Sequence, residues 1–240
     1  MRWWWLVCLL VLPTAARAQA LNFDITAPLI AVTTGFTGAN LVLFGSVDGD
    51  GDIVVTLRAP DQPTTVRRKD RVLGIWINRG SVHYTAVPGY YAIATSRPLE
   101  EVTRPETLAR LRLGVEHLPL EARPHTQDPA VFRAALIRNK QAAGLFASAP
   151  SEVVMRGPRL FRADLSLPAN TPVGTYQASV YLFRNGQVVG AQQTPVIVTK
   201  LGVSADIVDF ARDHALIYGL LAVAIAVLAG WLAHLAFRKG

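Results

Sequence analysis

The feature that most constrains this chain is an uninterrupted apolar block near its C-terminus. From Leu216 through Phe237 the only strongly polar side chain is His234. A helix of that length rises about 33 Å, which is enough to cross the hydrocarbon core of a bilayer. The sequence therefore predicts a transmembrane helix over residues 216–237, and a buried core helix is the disfavoured alternative.

The residues that flank this block predict its orientation. Tyr218 and Trp231 lie near its two ends, where amphipathic rings favour the membrane interface. The basic pair Arg238-Lys239 follows the block directly, and cations accumulate on the cytoplasmic side of a span. We expect a cytoplasmic tail of residues 238–240 and an N-terminal domain on the other side of the membrane.

The N-terminus carries a second, shorter apolar stretch. Residues 3–12 contain no charge, they follow Met1-Arg2, and small residues come later at Ala18 and Ala20. A basic start, a short apolar segment and a small-residue cleavage site are the three parts of a secretory signal peptide. We expect residues 1–20 to be a signal cleaved after Ala18 or Ala20, with a retained anchor as the alternative.

The single cysteine, Cys8, lies inside this signal. A mature chain without it has no disulfide, no thiolate nucleophile and no thiolate-bound metal, although it enters a compartment where disulfides form.

The exported part, residues 21–205, carries 19 Lys and Arg against 14 Asp and Glu. A basic balance often indicates nucleic-acid binding, but an exported domain does not meet nucleic acid. Anionic lipid headgroups, anionic solutes and an acidic protein remain as partners. A solvated basic surface without a specific partner is an equally good interpretation.

Strand patterns dominate the exported part. Two runs rich in β-branched residues, 41–44 and 53–57, are joined by a segment of Gly and Asp, 45–52. Further strands are predicted after the basic stretch 67–71, at residues 72–77, 81–86 and 90–94, with turns at 78–80 and 88–89.

The hydrophobic period changes after Pro98. Thr103-Arg104-Pro105-Glu106 has the spacing of a capping box, and Asp128-Pro129 is typical of a helix start. Gly144 supplies a stop, so a helical insert is predicted over about 103–144.

A short juxtamembrane helix is predicted over residues 206–215, immediately before the span. Asp206, Asp209 and Asp213 fall on one of its faces. This face is either solvated or a docking surface for a membrane partner.

A hairpin is predicted late in the chain. Residues 176–183 alternate in polarity, and Asn185-Gly186 forms a two-residue turn into residues 187–191. Just before it, the segment from Pro172 to Tyr176 resembles the corner of immunoglobulin-like sandwiches, where a tyrosine fixes the start of a late strand.

These patterns together predict a mainly β protein. We expect an immunoglobulin-like β-sandwich exported domain over residues 21–205, with the helical insert packed at one end, plus one C-terminal transmembrane helix. Two separate small β domains are the alternative.

One segment of the sequence comes close to a metal-binding motif. Asp48-Gly49-Asp50-Gly51-Asp52 begins like a calcium loop, but Ile53 stands where glycine is required and Ala59 where the bidentate Glu belongs. A tight turn is favoured over a weak calcium site. The histidines have no metal-binding spacing, and the serine-nucleophile and phosphate-binding motifs are missing.

We therefore predict no catalytic residues, no metal site, no cofactor and no enzyme activity. A catalytic triad can also be assembled from distant positions of the chain. His83 or His117 beside a serine in the fold would favour a hydrolase.

The candidate ligand site is a set of aromatic, amide and arginine side chains. Aromatic residues in neighbouring strands, close to arginines, suggest a concave anion site, although core and turn residues give the same pattern. Tyr84 and Tyr91 belong to the same aromatic pattern. A second possible anion patch has arginines spaced by three. The candidates are Trp76, Asn78, Arg79, Tyr90 and Arg97 in the first group, and Arg156, Arg159 and Arg162 in the second.

The order of these features resembles a transmembrane protein family of alphaproteobacteria whose function is uncharacterised. The resemblance covers nearly the whole mature chain and is carried by short motifs that are distinctive together: residues 74–78, 87–91, 96–99, 160–163, 167–176, 216–219 and 230–233. It implies an envelope protein of the inner (plasma) membrane, with a single span and its domain in the periplasm. It also implies an accessory role beside a sulfite-exporter-like permease, and it brings no catalytic residues.

Three hypotheses of function follow. The first is a non-enzymatic accessory or interaction subunit of a membrane transport system, with the lipid bilayer and an inner-membrane permease as partners and sulfite or another small anion as the exported solute. The second is a periplasmic anion- or solute-binding module. The third, least favoured, is an envelope hydrolase.

Overall fold

Strands dominate the computed structural model, which describes residues 21–123, 128–200 and 210–237. Of these residues, 50% are in strands and 26% are helical, so the prediction of a mainly β protein is confirmed. The predicted signal peptide and residues 206–209 of the predicted juxtamembrane helix lie outside the described residues.

The strands, in chain order, are β1 (Leu21–Ile25), β2 (Leu29–Val32), β3 (Gly38–Val47), β4 (Asp52–Arg58), β5 (Asp61–Val72), β6 (Ile75–Pro88), β7 (Tyr91–Thr95), β8 (Glu121–Ala122), β9 (Ser151–Arg156), β10 (Leu160–Pro168), β11 (Gly174–Arg184) and β12 (Gln187–Lys200). The helices are α1 (Leu99–Val102), α2 (Pro105–Leu111), α3 (Pro129–Ala142) and α4 (Ala215–Phe237), with a 3-10 turn at Val115–His117.

Nine strands form one large curled sheet in the order β1-β3-β10-β9-β7-β4-β11-β12-β2. Neighbours are antiparallel except at two places, β12 with β2 and β7 with β9. The β7–β9 contact joins the two halves of the sheet through only two residue pairs, Ala94 with Ser151 and Thr95 with Glu152. Early and late strands therefore share one sheet, while the assignment to the immunoglobulin-like class stays a prediction.

The main hydrophobic core lies on the inner side of the curl. It brings Leu41, Leu43 and Phe161 from one half of the sheet together with Val55 and Val180 from the other half. All five side chains are almost completely buried. The period-2 alternation of these strands explains the arrangement, because every second residue points to the same side of a sheet.

A tyrosine at the start of β11 fixes one corner of this core. The Tyr176 hydroxyl donates a hydrogen bond to the carbonyl oxygen of Pro172, with an O···O distance of 2.6 Å. Burial raises the pKa of this phenol, so the hydroxyl keeps its proton and remains a donor. The corner predicted from residues 172–176 is present.

A second hydrophobic core lies on the outer side of the sheet. Val54, Ile93 and Phe183, on β4, β7 and β11, point outward and share this core with the helical segment, including Phe132 and Leu136 of α3. The prediction that the helices pack at one end of the sandwich was therefore wrong. They cover the outer face instead, because β4 is apolar on both of its sides.

Of the two helix starts predicted from capping signals, one has the expected cap and the other does not. Asp128 caps α3 as predicted, since its Oδ1 atom accepts a hydrogen bond from the Ala130 amide at 2.9 Å. The capping box at Thr103 does not form: Arg104 is the N-cap of α2 and makes no side-chain cap. The Thr103 hydroxyl instead donates to the carbonyl oxygen of Gly186 at 2.6 Å, which ties the helical segment to the β11–β12 turn.

Strands β5 and β6 form a long hairpin, and with β8 they make a separate three-stranded sheet. Residues 78–80 were predicted as a turn, and this prediction was wrong, because they lie within β6. The basic stretch 67–71 lies within β5. The turn is at Leu73 and Gly74, whose φ angles of 50° and 86° suit a two-residue hairpin turn. The sequence signal was weak because leucine rarely adopts a positive φ.

The β11–β12 hairpin turns at Asn185 and Gly186, as predicted, with φ angles of 50° and 76°. Helix α4 is long and apolar enough to cross a membrane over Ala215–His234. None of that segment is buried against other described parts of the chain. The predicted C-terminal membrane helix is confirmed.

Replacing Tyr176 with Phe is expected to lower the free energy of unfolding by about 1–2 kcal/mol, because it leaves the Pro172 carbonyl without its buried donor. Urea denaturation of the purified protein in detergent measures the change. Tyr84→Phe is the matched control: this phenol is buried, and its hydroxyl has no hydrogen-bond partner among the described residues. Equal losses for the two variants would contradict the role given to Tyr176.

Candidate functional site

Arg97 lies in a polar cleft of about 820 Å³ between the β11–β12 turn and the start of the helical segment. Its guanidinium is paired with the Asp52 carboxylate through two hydrogen bonds, Nε to Oδ1 at 2.7 Å and Nη2 to Oδ2 at 2.5 Å. The hydrogen bond and the charge of Asp52 both raise the pKa of Arg97. An anion in the cleft would therefore have to compete with a carboxylate that already occupies the arginine.

The Asp48–Asp52 turn forms one wall of the cleft. The Arg184 side chain donates from Nε to the carbonyl oxygen of Asp50 at 2.7 Å and from Nη2 to the carbonyl oxygen of Asp48. The cationic guanidinium of Arg184 is thus bound directly to this turn, where its positive charge opposes a bound cation. Among the residues that the structure describes, no group of three or more His, Cys, Asp or Glu is arranged to hold a metal.

A shallow groove of about 570 Å³ lies on the other half of the sheet. Its walls include the apolar side chains of Phe44 and Leu160, with Arg156 and Arg162 at the same groove. A glycine is required beneath them, since a Cβ atom at Gly45 would come within 2.7 Å of the Phe161 ring. The groove combines apolar walls with cationic groups, which suits an anion that has an apolar part.

Two of these arginines differ in their surroundings. Arg162 pairs with Asp164, with an Nη2 to Oδ1 distance of 2.9 Å, and this partner raises its pKa. Arg156 ends β9 beside the same groove, and Arg159 lies in the connection between β9 and β10.

Tyr90 is a core residue and not part of an open site. It is buried in the main core, and its hydroxyl donates to the carbonyl oxygen of Ser166 at 2.6 Å. Burial raises its pKa, so the phenol stays protonated. Tyr91 is buried in the second core and donates to the Arg112 carbonyl oxygen at 3.2 Å.

Trp76, Asn78 and Arg79 lie on β6, in the outer part of the β5–β6 hairpin, and all three are exposed. The sheet register places Trp76 opposite Arg71 and Asn78 opposite Lys69. Arg79 is the extra residue of a β-bulge between these pairs and the next part of the ladder.

The candidate residues therefore lie in separate regions. Trp76, Asn78 and Arg79 are on the hairpin, Arg97 is in the cleft, Tyr90 is in the core, and Arg156 and Arg162 meet at the groove. The one concave site of aromatic rings with Arg79 and Arg97 is not assembled. Ligand binding by the individual residues stays a prediction.

The hydroxyl group beside His83 belongs to a threonine and not to a serine. Its Nδ1 atom lies 2.9 Å from the Thr65 hydroxyl, and the two residues are paired across β5 and β6 on an exposed face. A cross-strand hydrogen bond of this kind is ordinary in a sheet. His117 is the last residue of the 3-10 turn, and His125 lies outside the described residues.

Sequence reasoning missed the apolar side chains that surround Trp76. Leu73, Ile75 and Ile77 are all exposed at the end of the hairpin. The sequence predicted only a strand over residues 72–77. The available signal was their position, since a short apolar run between the basic stretch 67–71 and Arg79 has little to pack against.

Nearly the whole chain matches one protein family. A protein family described as "Putative transmembrane protein (Alph_Pro_TM)" matches residues 20–239. The chain belongs to this family. The match includes both the β-rich domain and α4, so the protein is a membrane protein, and α4 is the one candidate membrane helix among the described residues. No curated protein matches the chain.

Adding calcium is expected to leave the melting temperature of the protein unchanged, because the positive charge of Arg184 is bound to the Asp48–Asp52 turn and opposes a second cation there. Thermal unfolding with excess calcium and with a chelator provides the comparison. Arg184→Gln removes the competing cation and serves as the second sample. A clear rise of the melting temperature in the unaltered protein would establish a calcium site.

Proposed function

We propose that the protein is a non-enzymatic accessory or interaction subunit of a membrane transport system. It would sit in the inner membrane with its β-rich domain in the periplasm and its C-terminus in the cytoplasm. Sulfite or another small anion is the solute proposed for that system.

The observation that carries this proposal is the unpartnered membrane helix. The membrane-crossing segment of α4 is not buried against other described residues, so its side chains are available to lipid or to another membrane protein. The folded domain, in contrast, has two well-buried cores that do not include α4. Domain and helix are thus separate parts, as expected for a module that is tethered beside a partner.

The basic residues after α4 support the proposed orientation. Arg238 and Lys239 directly follow the helix, and cationic residues are enriched on the cytoplasmic side of membrane spans.

The buried phenols support a non-enzymatic role. Tyr90, Tyr91 and Tyr176 each donate to a backbone carbonyl, and burial raises the pKa of each. These groups, whose pKa values are strongly shifted, are used to fix the fold. At a catalytic centre, titratable side chains with shifted pKa values instead face a cleft.

The test is an affinity purification of the full-length protein from its native membrane in mild detergent. The unaltered chain is compared with a variant in which residues 215–237 are replaced by an unrelated apolar helix of equal length. We expect one stoichiometric transport protein to copurify with the first and to be lost from the second.

Two results would contradict the proposal. Purification of the unaltered protein without any membrane partner would remove the accessory role. Equal recovery of a partner with both spans would place recognition in the β-rich domain and contradict the assignment to α4.

The groove at Arg156 and Arg162 favours a second candidate function, a periplasmic anion-binding module. Its apolar walls and paired guanidinium groups fit an anion with a short apolar tail better than a fully hydrated small ion. Arg156 is the more informative of the two residues, because Asp164 already pairs with Arg162.

Calorimetric titration with octanesulfonate and with sulfite tests this second candidate. We expect the alkyl anion to bind and Arg156→Gln to weaken its binding about tenfold, the cost of one charge-assisted hydrogen bond. Arg138→Gln, an exposed arginine on α3, is the matched control and should bind normally. Absence of heat with both ligands would remove the candidate.

A further inference from the structure

The outer end of the β5–β6 hairpin exposes a cluster of large apolar side chains. Leu73 is 98% exposed, Ile75 67% and Trp76 66%, and Ile77 is also exposed. We call residues 72–77 the hairpin tip. Burial of the hairpin ends further back, at the Val66–Val82 pair, so the tip is separated from the cores by about 20 Å of strand.

Cationic side chains surround the tip. Arg67, Lys69 and Arg71 alternate along β5 and therefore lie on one face of the hairpin. The register places Trp76 opposite Arg71, which puts the ring on that same face. Because the tip combines an interfacial aromatic ring with flanking cations, it has the chemistry of segments that lie at a bilayer surface.

The hairpin holds most of the net charge of the exported part. Residues 67–79 contain five Lys and Arg against one carboxylate, Asp70, which is paired with Arg68 at 3.1 Å. The remainder of residues 21–205 has 14 Lys and Arg against 13 Asp and Glu. The positive charge is therefore localised at the apolar cluster instead of spread over the domain.

The hairpin begins at the end of the sheet from which the chain continues toward α4. A Cβ atom on Gly174 would lie 2.9 Å from the ring of Pro60, the residue before β5. Gly174 is paired with Val198, close to the end of β12 at Lys200. Ten residue steps then lead to Phe210, a reach of at most about 35 Å, which limits how far this end of the domain, with the base of the hairpin, can lie from α4.

We propose that the hairpin tip inserts into the surface of an anionic lipid bilayer, with Leu73, Ile75 and Trp76 among the lipid chains and Arg67, Lys69 and Arg71 on the phosphate groups. Anionic surfaces attract such basic clusters, and an apolar tip adds the burial that electrostatics alone lacks. The protein then contacts the membrane twice, through α4 and through the hairpin. This inference does not depend on the proposed transport role.

A single-cysteine label tests the insertion in the full-length protein. Cys8 is the only native cysteine, so a Cys8→Ser background allows an environment-sensitive NBD fluorophore to be placed by Leu73→Cys. The protein is reconstituted in vesicles of phosphatidylcholine with phosphatidylglycerol, and in vesicles of phosphatidylcholine alone. We expect blue-shifted emission and quenching by lipids with acyl-chain nitroxides in the first vesicles, both much reduced in the second.

Asn185→Cys is the matched control position. Asn185 and Leu73 both begin a two-residue hairpin turn with a φ of 50°, and both are exposed, but Asn185 lies at the opposite end of β11 from Gly174. Its label should stay accessible to aqueous iodide in both kinds of vesicle.

The charge requirement is tested by the triple variant Arg67→Gln, Lys69→Gln and Arg71→Gln. Each cation near an anionic surface contributes about fivefold to binding, so the inserted fraction should fall as for a roughly hundredfold weaker equilibrium. Arg110→Gln with Arg123→Gln and Arg138→Gln removes the same charge from exposed positions elsewhere and should leave the quenching unchanged. Circular dichroism verifies that both variants are folded.

Three outcomes would overturn the proposal. The first is a label at residue 73 that remains as accessible to iodide as the label at residue 185. The second is equal quenching with and without phosphatidylglycerol. The third is a label at residue 73 that is protected in native membranes but fully exposed in anionic vesicles that contain no other protein. That result would show that the tip binds a protein and not the lipid surface.

Discussion

The structure depends on two strands, β4 and β11, that are buried on both faces. Val55 and Val180 point into the main core while Val54 and Phe183 point into the second. A strand with this double burial has to be apolar at nearly every position, and β4 is. Because both cores share these strands, removal of the helical layer from the outer face of the curled sheet would expose the second core.

The same constraint explains which predictions from sequence succeeded. The first half of β11, where buried and exposed residues alternate, and the Asn185-Gly186 turn follow local rules and were predicted well. The helical insert was recognised, but its position was not, since an apolar run such as Ile53 to Leu57 does not reveal that its second side is covered by helices. The capping box at Thr103 failed for a related reason, because a tertiary hydrogen bond to Gly186 took the hydroxyl that the cap needed.

The candidate site was less predictable than the fold. Residue types alone grouped Trp76 with Tyr90, yet one is exposed at the end of a hairpin and the other is buried in the main core. What separates them is the hairpin that turns at Leu73-Gly74, since its residues 67–79 lie outside the nine-stranded sheet. This turn was not recognised because leucine rarely adopts a positive φ. The pairing of Arg97 with Asp52, 45 positions apart, likewise arises only in the folded chain.

The parallel pairing of β2 with β12 has a mechanical consequence. Strand β12 is held on one side by β11 and on the other by β2, from Ile197 opposite Leu29 to Lys200 opposite Val32. Backbone hydrogen bonds between strands lie across the strand direction, so a pull along β12 from the membrane loads them together and in shear. The domain is thus attached to its anchor through a strand that is held on both sides, and a force on the membrane helix is resisted by both ladders at once before β12 can peel away.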